Sequence, residues 1–125
     1  MRLNRLNERI WYGIFDHNAY SVVAQKIFED DNLISWAGFH IIDKYEITPQ
    51  SYEFIQLSEK NKFCLVKFTI KRQVFEKSDG LNPTDFSDYV LFCFDTEDEL
   101  YEICSLLRID ASKFTQKWHC EYPFD

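Results

Sequence analysis

Apolar and polar residues alternate most regularly along residues 64–74, a period of two that predicts a β-strand with one face in the core and one in solvent. The apolar positions of this run are Cys64, Val66, Phe68, Ile70 and Val74. Residues 33–42 and 89–94 are mostly apolar runs of strand length, which predicts strands buried inside a core. Gly38, within the first of these runs, marks either a bulge or a close approach to the backbone.

Shorter runs predict further strands. Residues 10–15 are apolar and aromatic, and residues 45–48 and 52–57 flank Pro49 in a way that favours an antiparallel pair. Alternate apolar positions near the C-terminus predict a final edge strand. These positions are Trp118, Cys120, Tyr122 and Phe124.

Two segments have helical spacing instead. The first, with Asp16 or Asn18 as its cap and its end near residues 29–32, places Tyr20, Val23, Ala24, Ile27 and Phe28 on one stripe of about three turns. In the second, Thr96 and Glu99 form a capping-box pattern before a stripe of Leu100, Ile103, Cys104 and Leu107. Asp110 is expected to cap a short turn.

Together these patterns predict an α+β fold, with a mostly antiparallel sheet and two main helices. The chain has 125 residues, which suits one globular domain over residues 1–125. Its first residues lack the apolar run of a secretory signal, and charges interrupt every hydrophobic segment, so a cytoplasmic, non-membrane protein is expected. The cysteines lie far apart in apolar runs and are expected to be buried and reduced. They are Cys64, Cys93, Cys104 and Cys120.

Motifs for chemistry are missing from the sequence. It contains no Cys-x-x-Cys, His-x-x-x-His or His-Glu-x-x-His spacing and no glycine-rich phosphate loop, so no metal and no cofactor is predicted. A cysteine and a histidine can still meet in space as a nucleophilic pair, with no pairing favoured by the sequence. The prediction is a protein that is not an enzyme, with an unrecognised enzyme site as an alternative.

Charge is the most informative feature. Residues 76–102, hereafter the acidic segment, contain nine acids and one lysine, a net charge of −8, whereas the whole chain has a net charge of −7. Residues 76–88 read as a loop, and Glu97, Asp98 and Glu99 suit the first turn of a helix. We predict that the acidic segment binds a basic protein, with Tyr89, Tyr101 and the nearby Phe86 as aromatic anchors. The alternative is that the loop acids only solvate a long connection. Its acids are Glu76, Asp79, Asp85, Asp88, Asp95, Glu97, Asp98, Glu99 and Glu102.

In size, net charge and mixed α/β character, the chain resembles the small acidic immunity proteins of bacterial contact-dependent growth-inhibition and other polymorphic toxin systems. The resemblance rests on no shared motif, and no family site residue transfers to this chain. It implies a non-enzymatic inhibitor that binds one cognate toxin domain, often a nuclease. A phage-encoded inhibitor of a host defence protein has the same features.

A module for single-stranded nucleic acid is the alternative from another class. Basic residues cluster along the predicted strand at residues 64–74, near aromatic residues that bases could stack on. The net negative charge argues against such a partner, and lysines also guard sheet edges. The basic residues are Lys60, Lys62, Lys67, Lys71, Arg72 and Lys77.

Overall fold

The computed structural model describes residues 5–16, 20, 22–41, 61–77 and 85–123. Its strands are β1 (Val22–Glu29), β2 (Leu33–Ile41), β3 (Phe63–Lys71), β4 (Phe86–Phe94) and β5 (Thr115–Gln116). Its α-helices are α1 (Glu8–Trp11), which continues as a π-helical turn (Tyr12–Asp16), α2 (Arg72–Lys77) and α3 (Glu97–Leu107). Two 3₁₀ turns, Ala111–Lys113 and Lys117–His119, complete the described elements.

The strands form one antiparallel sheet in the order β4-β3-β2-β1-β5. The α+β class and the antiparallel sheet are therefore confirmed. The central ladder pairs β2 with β3 from Leu33↔Lys71 to Ile41↔Phe63 without a register shift. On either side of it, β1 and β4 each contain one irregularity, between Lys26 and Phe28 in β1 and opposite Phe68 in β4.

The helix predicted around residues 20–28 is wrong, because Val22–Glu29 form β1. The first four residues of β1 are all buried, because β1 lies between β2 and β5 and other parts of the protein cover both of its faces. These residues are Val22, Val23, Ala24 and Gln25. A strand covered on both sides does not alternate, and its apolar residues can imitate helical spacing.

The strand predicted for residues 10–15 is also wrong. Asn7 accepts a hydrogen bond from the Arg9 backbone N–H at 2.9 Å and starts α1 there.

One face of the sheet packs against the N-terminal helical segment and α3. Phe39 of β2 stacks on Phe94 of β4, with ring centroids 5.8 Å apart, at the centre of this layer. The other buried residues of this layer include Leu6, Ile10, Ile14, Val23, Leu65, Leu100, Cys104 and Phe114. The helix predicted after Thr96 is confirmed as α3, and Thr96 caps it. The predicted cap at Asp110, in the turn that follows α3, is also confirmed.

The opposite face is covered by α2 and by the C-terminal segment. Trp36 Nε1 donates to the Cys120 carbonyl at 2.7 Å, which fixes this segment over β2. The Tyr122 ring lies against Gly38, where an added Cβ would be 1.9 Å from the phenolic oxygen. Gly38 therefore marks a close approach. The predicted C-terminal edge strand is wrong, because residues 117–119 form a 3₁₀ turn and Glu121 has a positive φ of 58°.

Two strand predictions need correction in detail. The strand predicted at residues 64–74 ends at Lys71, and the chain turns into α2. Its expected solvent face is wrong as well, because Leu65 and Thr69 are buried on one side while Cys64, Val66, Phe68 and Ile70 are buried on the other. The strand predicted at residues 89–94 starts at Phe86, and most of it is only partly buried. The pair predicted at residues 45–48 and 52–57 lies outside the described residues.

His40 is a fully buried polar residue in β2, and its Nε2 is 2.8 Å from the Tyr122 hydroxyl in a hydrogen bond. Burial lowers the pKa of His40 to about 3, with a further contribution from the positive charge of Lys117. The imidazole is therefore neutral in the fold at neutral pH.

We expect this histidine to make stability fall with acidification. The unfolded chain takes up a proton at His40 below about pH 6.5 whereas the fold does not, so stability is complete above that pH and decreases towards pH 3. Between pH 7 and pH 5 this amounts to about 2 kcal/mol. Urea unfolding at both pH values should show a smaller loss for His40→Gln than for the unmodified protein. The same loss in both would contradict this account, and His119→Gln, at an exposed histidine, is the control.

Candidate protein-binding surface

The central part of the acidic segment, β4, is the outermost strand of the described sheet, because it is the last in the strand order. Within the described ranges, β3 is its one paired neighbour. Lys67 pairs with Val90 and Thr69 with Ser87, so Asp88 and Tyr89 together lie opposite Phe68 as a β-bulge. Asp88 has a φ of 51°, a left-handed conformation that aspartate tolerates better than most residues. The bulge places Asp88 in solvent.

Tyr89, the other bulge residue, is half-buried at 38% exposure. Burial raises the pKa of its phenol to about 12, with smaller contributions from the nearby thiols Cys64 and Cys93. The ring is therefore packed on one side and accessible on the other. Phe86, at the start of β4, differs from it. Its ring meets Phe68 edge-on at 5.2 Å, so it belongs to the core.

At the other end of β4, the chain enters α3 through a capping box. Thr96 Oγ1 accepts from the Glu99 backbone N–H at 3.2 Å, and it donates to Glu99 Oε1 at 3.0 Å. Glu97, Asp98 and Glu99 occupy the first turn, as predicted, where the helix dipole favours negative charge. Asp98 and Glu102 are exposed and are spaced at i and i+4, which places them on the same side of α3.

Glu97 has a structural role. It accepts hydrogen bonds from Trp11 Nε1 at 3.0 Å and from the Tyr101 hydroxyl, and so ties α3 to the N-terminal helical segment. Tyr101 is 4% exposed, with its hydroxyl also near the Leu6 backbone N–H. Burial and the hydrogen bond to Glu97 raise the pKa of Tyr101 above its ordinary range. Tyr101 lies in the core, which corrects its prediction as a surface anchor.

The remaining predicted acids differ in environment. Asp95 is exposed and accepts hydrogen bonds from the Lys62 backbone N–H at 3.1 Å and from Asn61 Nδ2 at 3.3 Å. Glu76 belongs to α2, contrary to the predicted loop, and pairs with Arg72 at 3.5 Å. Asp85 is partly buried and has a partner of its own. Asp79 lies outside the described residues.

The acids therefore form two groups instead of one continuous patch. Asp88 marks one end of β4, and Asp95, Asp98 and Glu102 mark the other. At about 3.3 Å per residue, and allowing for the bulge, the two groups are about 20 Å apart. Tyr89 lies beside the first group. The sequence predicted the acidity of residues 76–102 but neither their place at a sheet edge nor their division into two groups.

The basic residues of the alternative interpretation are dispersed. Lys62 and Lys71 lie at opposite ends of β3 and Lys67 is partly buried. Arg72 lies in α2 with its guanidinium 2.6 Å from Glu29. Among the described residues these cations form no continuous face for a phosphate backbone. Lys60 lies outside the described residues.

A histidine and a cysteine do meet in the fold, because His40 and Cys64 are direct partners in the β2–β3 register. Burial raises the pKa of the Cys64 thiol well above its ordinary value, while it lowers that of His40. Both groups are therefore held neutral. An activated cysteine nucleophile needs the reverse arrangement, a thiolate beside a protonated imidazole.

A cleft of about 1200 Å³ lies between the N-terminal helical segment and the turn that precedes β5. Arg9, Tyr12, Tyr20, Lys113 and Phe114 contribute to its lining. No sequence pattern identified it, because its two walls are about a hundred residues apart in the chain. Within the described ranges, no group of three or more histidine, cysteine or acidic side chains is placed to hold a metal ion.

A scan against protein-family models found no match to this chain, and a search of solved structures found no significant match. In the part of the chain that the structure describes, no helix has the length and apolar character needed to cross a membrane. The surface itself is therefore the basis for a functional assignment.

We expect the acids of α3 to separate into structural and exposed ones. Glu97→Ala leaves Trp11 Nε1 and the buried Tyr101 hydroxyl without their acceptor, and should lower the free energy of unfolding by about 1–3 kcal/mol. Asp98→Ala removes a solvated carboxylate and should cost about 0.5 kcal/mol through the helix dipole. Urea denaturation of both variants measures the difference. Equal losses would show that the Glu97 contacts contribute nothing.

Proposed function

We propose that this protein is a non-enzymatic inhibitor that acts in the cytoplasm and binds one cognate basic protein through the acidic edge formed by β4 and α3. By its size and acidity it resembles the immunity proteins of bacterial toxin systems, whose partners are toxin domains such as nucleases. The observation that carries the proposal is the unneutralised charge at this edge.

The acidic segment contains only one basic residue, Lys77. The sequence contains no lysine or arginine between Lys77 and Arg108. Within the described part of the chain, the exposed carboxylates of Asp88, Asp98 and Glu102 have no ion-pair partner. Asp98 and Glu102 repel each other one helical turn apart, and a basic partner would relieve that repulsion. Complementary charge also accelerates encounter and rejects acidic competitors.

The spacing of the two groups suits one interface. A standard protein interface buries about 800 Å² on each partner, which corresponds to a patch roughly 30 Å across. Acids about 20 Å apart along β4 fit within such a patch. A single partner with two basic groups could therefore cover both ends of the strand.

Tyr89 supplies an apolar contact beside Asp88. Interfaces concentrate their binding energy in a few aromatic or arginine residues. Because one side of the Tyr89 ring is already packed, the ring would lose little conformational freedom on binding. Of the three predicted aromatic anchors, Tyr89, Tyr101 and Phe86, the proposal therefore keeps Tyr89.

The charge contribution is testable once a partner is recovered. The protein is immobilised and exposed to host lysate at low salt, retained proteins are identified by mass spectrometry, and the purified partner is then titrated. We expect Asp98→Lys with Glu102→Lys to slow association about tenfold or more at low salt, with the difference shrinking as salt screens it. Asp88→Asn tests the other end of β4 without disturbing the left-handed backbone.

The matched control is Glu8→Lys with Asp31→Lys, which changes the net charge equally at exposed positions outside the acidic segment. Equal slowing by the two double variants would mean that only net charge matters, and the proposed surface would be wrong. The inhibitor assignment also requires that the partner's activity falls on binding. If a single-stranded oligonucleotide is retained in place of a basic protein, the nucleic-acid alternative is favoured.

A further inference from the structure

Two cysteines that are far apart in the sequence face each other across the β3–β4 ladder. Cys64 and Cys93 are direct Cα partners in the antiparallel register. They are on the same face of the sheet, in the layer that also contains Val66 and Leu91. Both are free thiols.

The geometry of this pair suits a covalent bond. Residues directly opposite each other in antiparallel strands have Cα atoms about 4.5–5.5 Å apart, and disulfides form at Cα separations of about 4.4–6.8 Å. The two thiols are close enough to share a side-chain hydrogen bond.

The two sulfurs differ in access. Cys64 is fully buried in the inner strand β3, whereas Cys93 is half-buried in β4 at the sheet edge. An oxidant in solution therefore reaches Cys93 first, and Cys64 lies behind it. This arrangement corrects the prediction that all four cysteines are buried, and it provides one attacking thiol and one resolving thiol.

We infer that Cys64 and Cys93 form a reversible dithiol–disulfide pair that responds to low-molecular-weight disulfides such as oxidised glutathione. This inference does not rest on the proposed function. Neither Cys104, which packs in the opposite layer, nor Cys120, in the C-terminal segment, has a described cysteine opposite it in the sheet.

The chemistry proceeds in two exchanges. The Cys93 thiolate attacks one sulfur of oxidised glutathione, the S–S bond breaks, and the departing glutathione thiolate takes up the proton that Cys93 released. The Cys64 thiolate then attacks the Cys93 sulfur of the mixed disulfide, and a second glutathione leaves as the thiol. Two protein thiols are oxidised, and one oxidised glutathione is reduced to two molecules of the thiol. Excess reduced glutathione reverses both exchanges.

Burial makes the second exchange slow. Desolvation by burial is the main cause of the raised pKa of Cys64, so few Cys64 thiolates exist at neutral pH. Because only the thiolate attacks, the rate at which the Cys64–Cys93 disulfide closes should be about tenfold higher at pH 8 than at pH 7. The pair is therefore a slow sensor of sustained oxidation.

The experiment uses the full chain in glutathione redox buffers, followed by alkylation of free thiols, intact-mass measurement and non-reducing peptide mapping. We expect the native protein to lose two alkylation sites and two hydrogen atoms, with a Cys64–Cys93 linked peptide and full reversal by reduced glutathione. In Cys64→Ala, Cys93 should stay trapped as its glutathione adduct. In Cys93→Ser, both modifications should be lost.

Cys104→Ser with Cys120→Ser is the control and should keep the linked peptide. The inference is overturned if the native chain accumulates the Cys93 adduct as Cys64→Ala does. It is also overturned if the linked peptide contains Cys104 or Cys120, or if the chain keeps four alkylatable thiols in strongly oxidising buffer. The native-chain map decides between these outcomes even if a variant fails to fold.

Discussion

The unbroken ladder between β2 and β3 is the constraint on which the rest of the structure depends. Because every residue of β2 from Leu33 to Ile41 has its partner in β3, the register assigns each side chain of both strands to one face of the sheet. A shift by one residue would exchange the two faces. Phe39 and Leu65 would then leave the helical layer, and Trp36 and Phe68 would leave the layer beneath the C-terminal segment.

Burial of both faces requires partners for the polar groups of the inner strands. Ser35 and Thr69 satisfy each other at 2.7 Å, and Gln25 donates to the Asp110 carbonyl at 2.9 Å. Trp36 reaches the Cys120 carbonyl, and His40 the Tyr122 hydroxyl. A buried polar group without a partner costs about 1–3 kcal/mol, so these contacts specify which segments cover the sheet. The C-terminal segment is positioned by polar contacts as much as by apolar packing.

Local signals in the sequence predicted the elements whose cause is local. The capping box at Thr96 and Glu99 and the cap at Asp110 depend on neighbours in the chain, and both are confirmed. The identity of β1 depends on what covers it, and a strand with two buried faces has no alternation to reveal it. The C-terminal alternation was misleading for a related reason, because its apolar residues dock on a face that β2 presents.

The acidic edge shows the same division between local and tertiary information. That residues 76–102 are acidic follows from the sequence alone. Glu97 accepts hydrogen bonds from Trp11 and Tyr101. The contact with Trp11 spans 86 residues of chain, so no local pattern could reveal it. The opposition of Cys64 and Cys93 likewise depends on register, since 28 residues separate them.

These features meet on β4, the outermost strand of the described sheet. An edge strand invites pairing with other chains, and natural proteins limit this with charges and bulges. Asp88 provides both here, through its carboxylate and its left-handed backbone. The bulge interrupts the ladder only beside Phe68, and pairing resumes at Val90 and continues through Cys93 to Phe94. The same strand can therefore present charge and Tyr89 at its irregular end while its regular end keeps Cys93 fixed opposite Cys64.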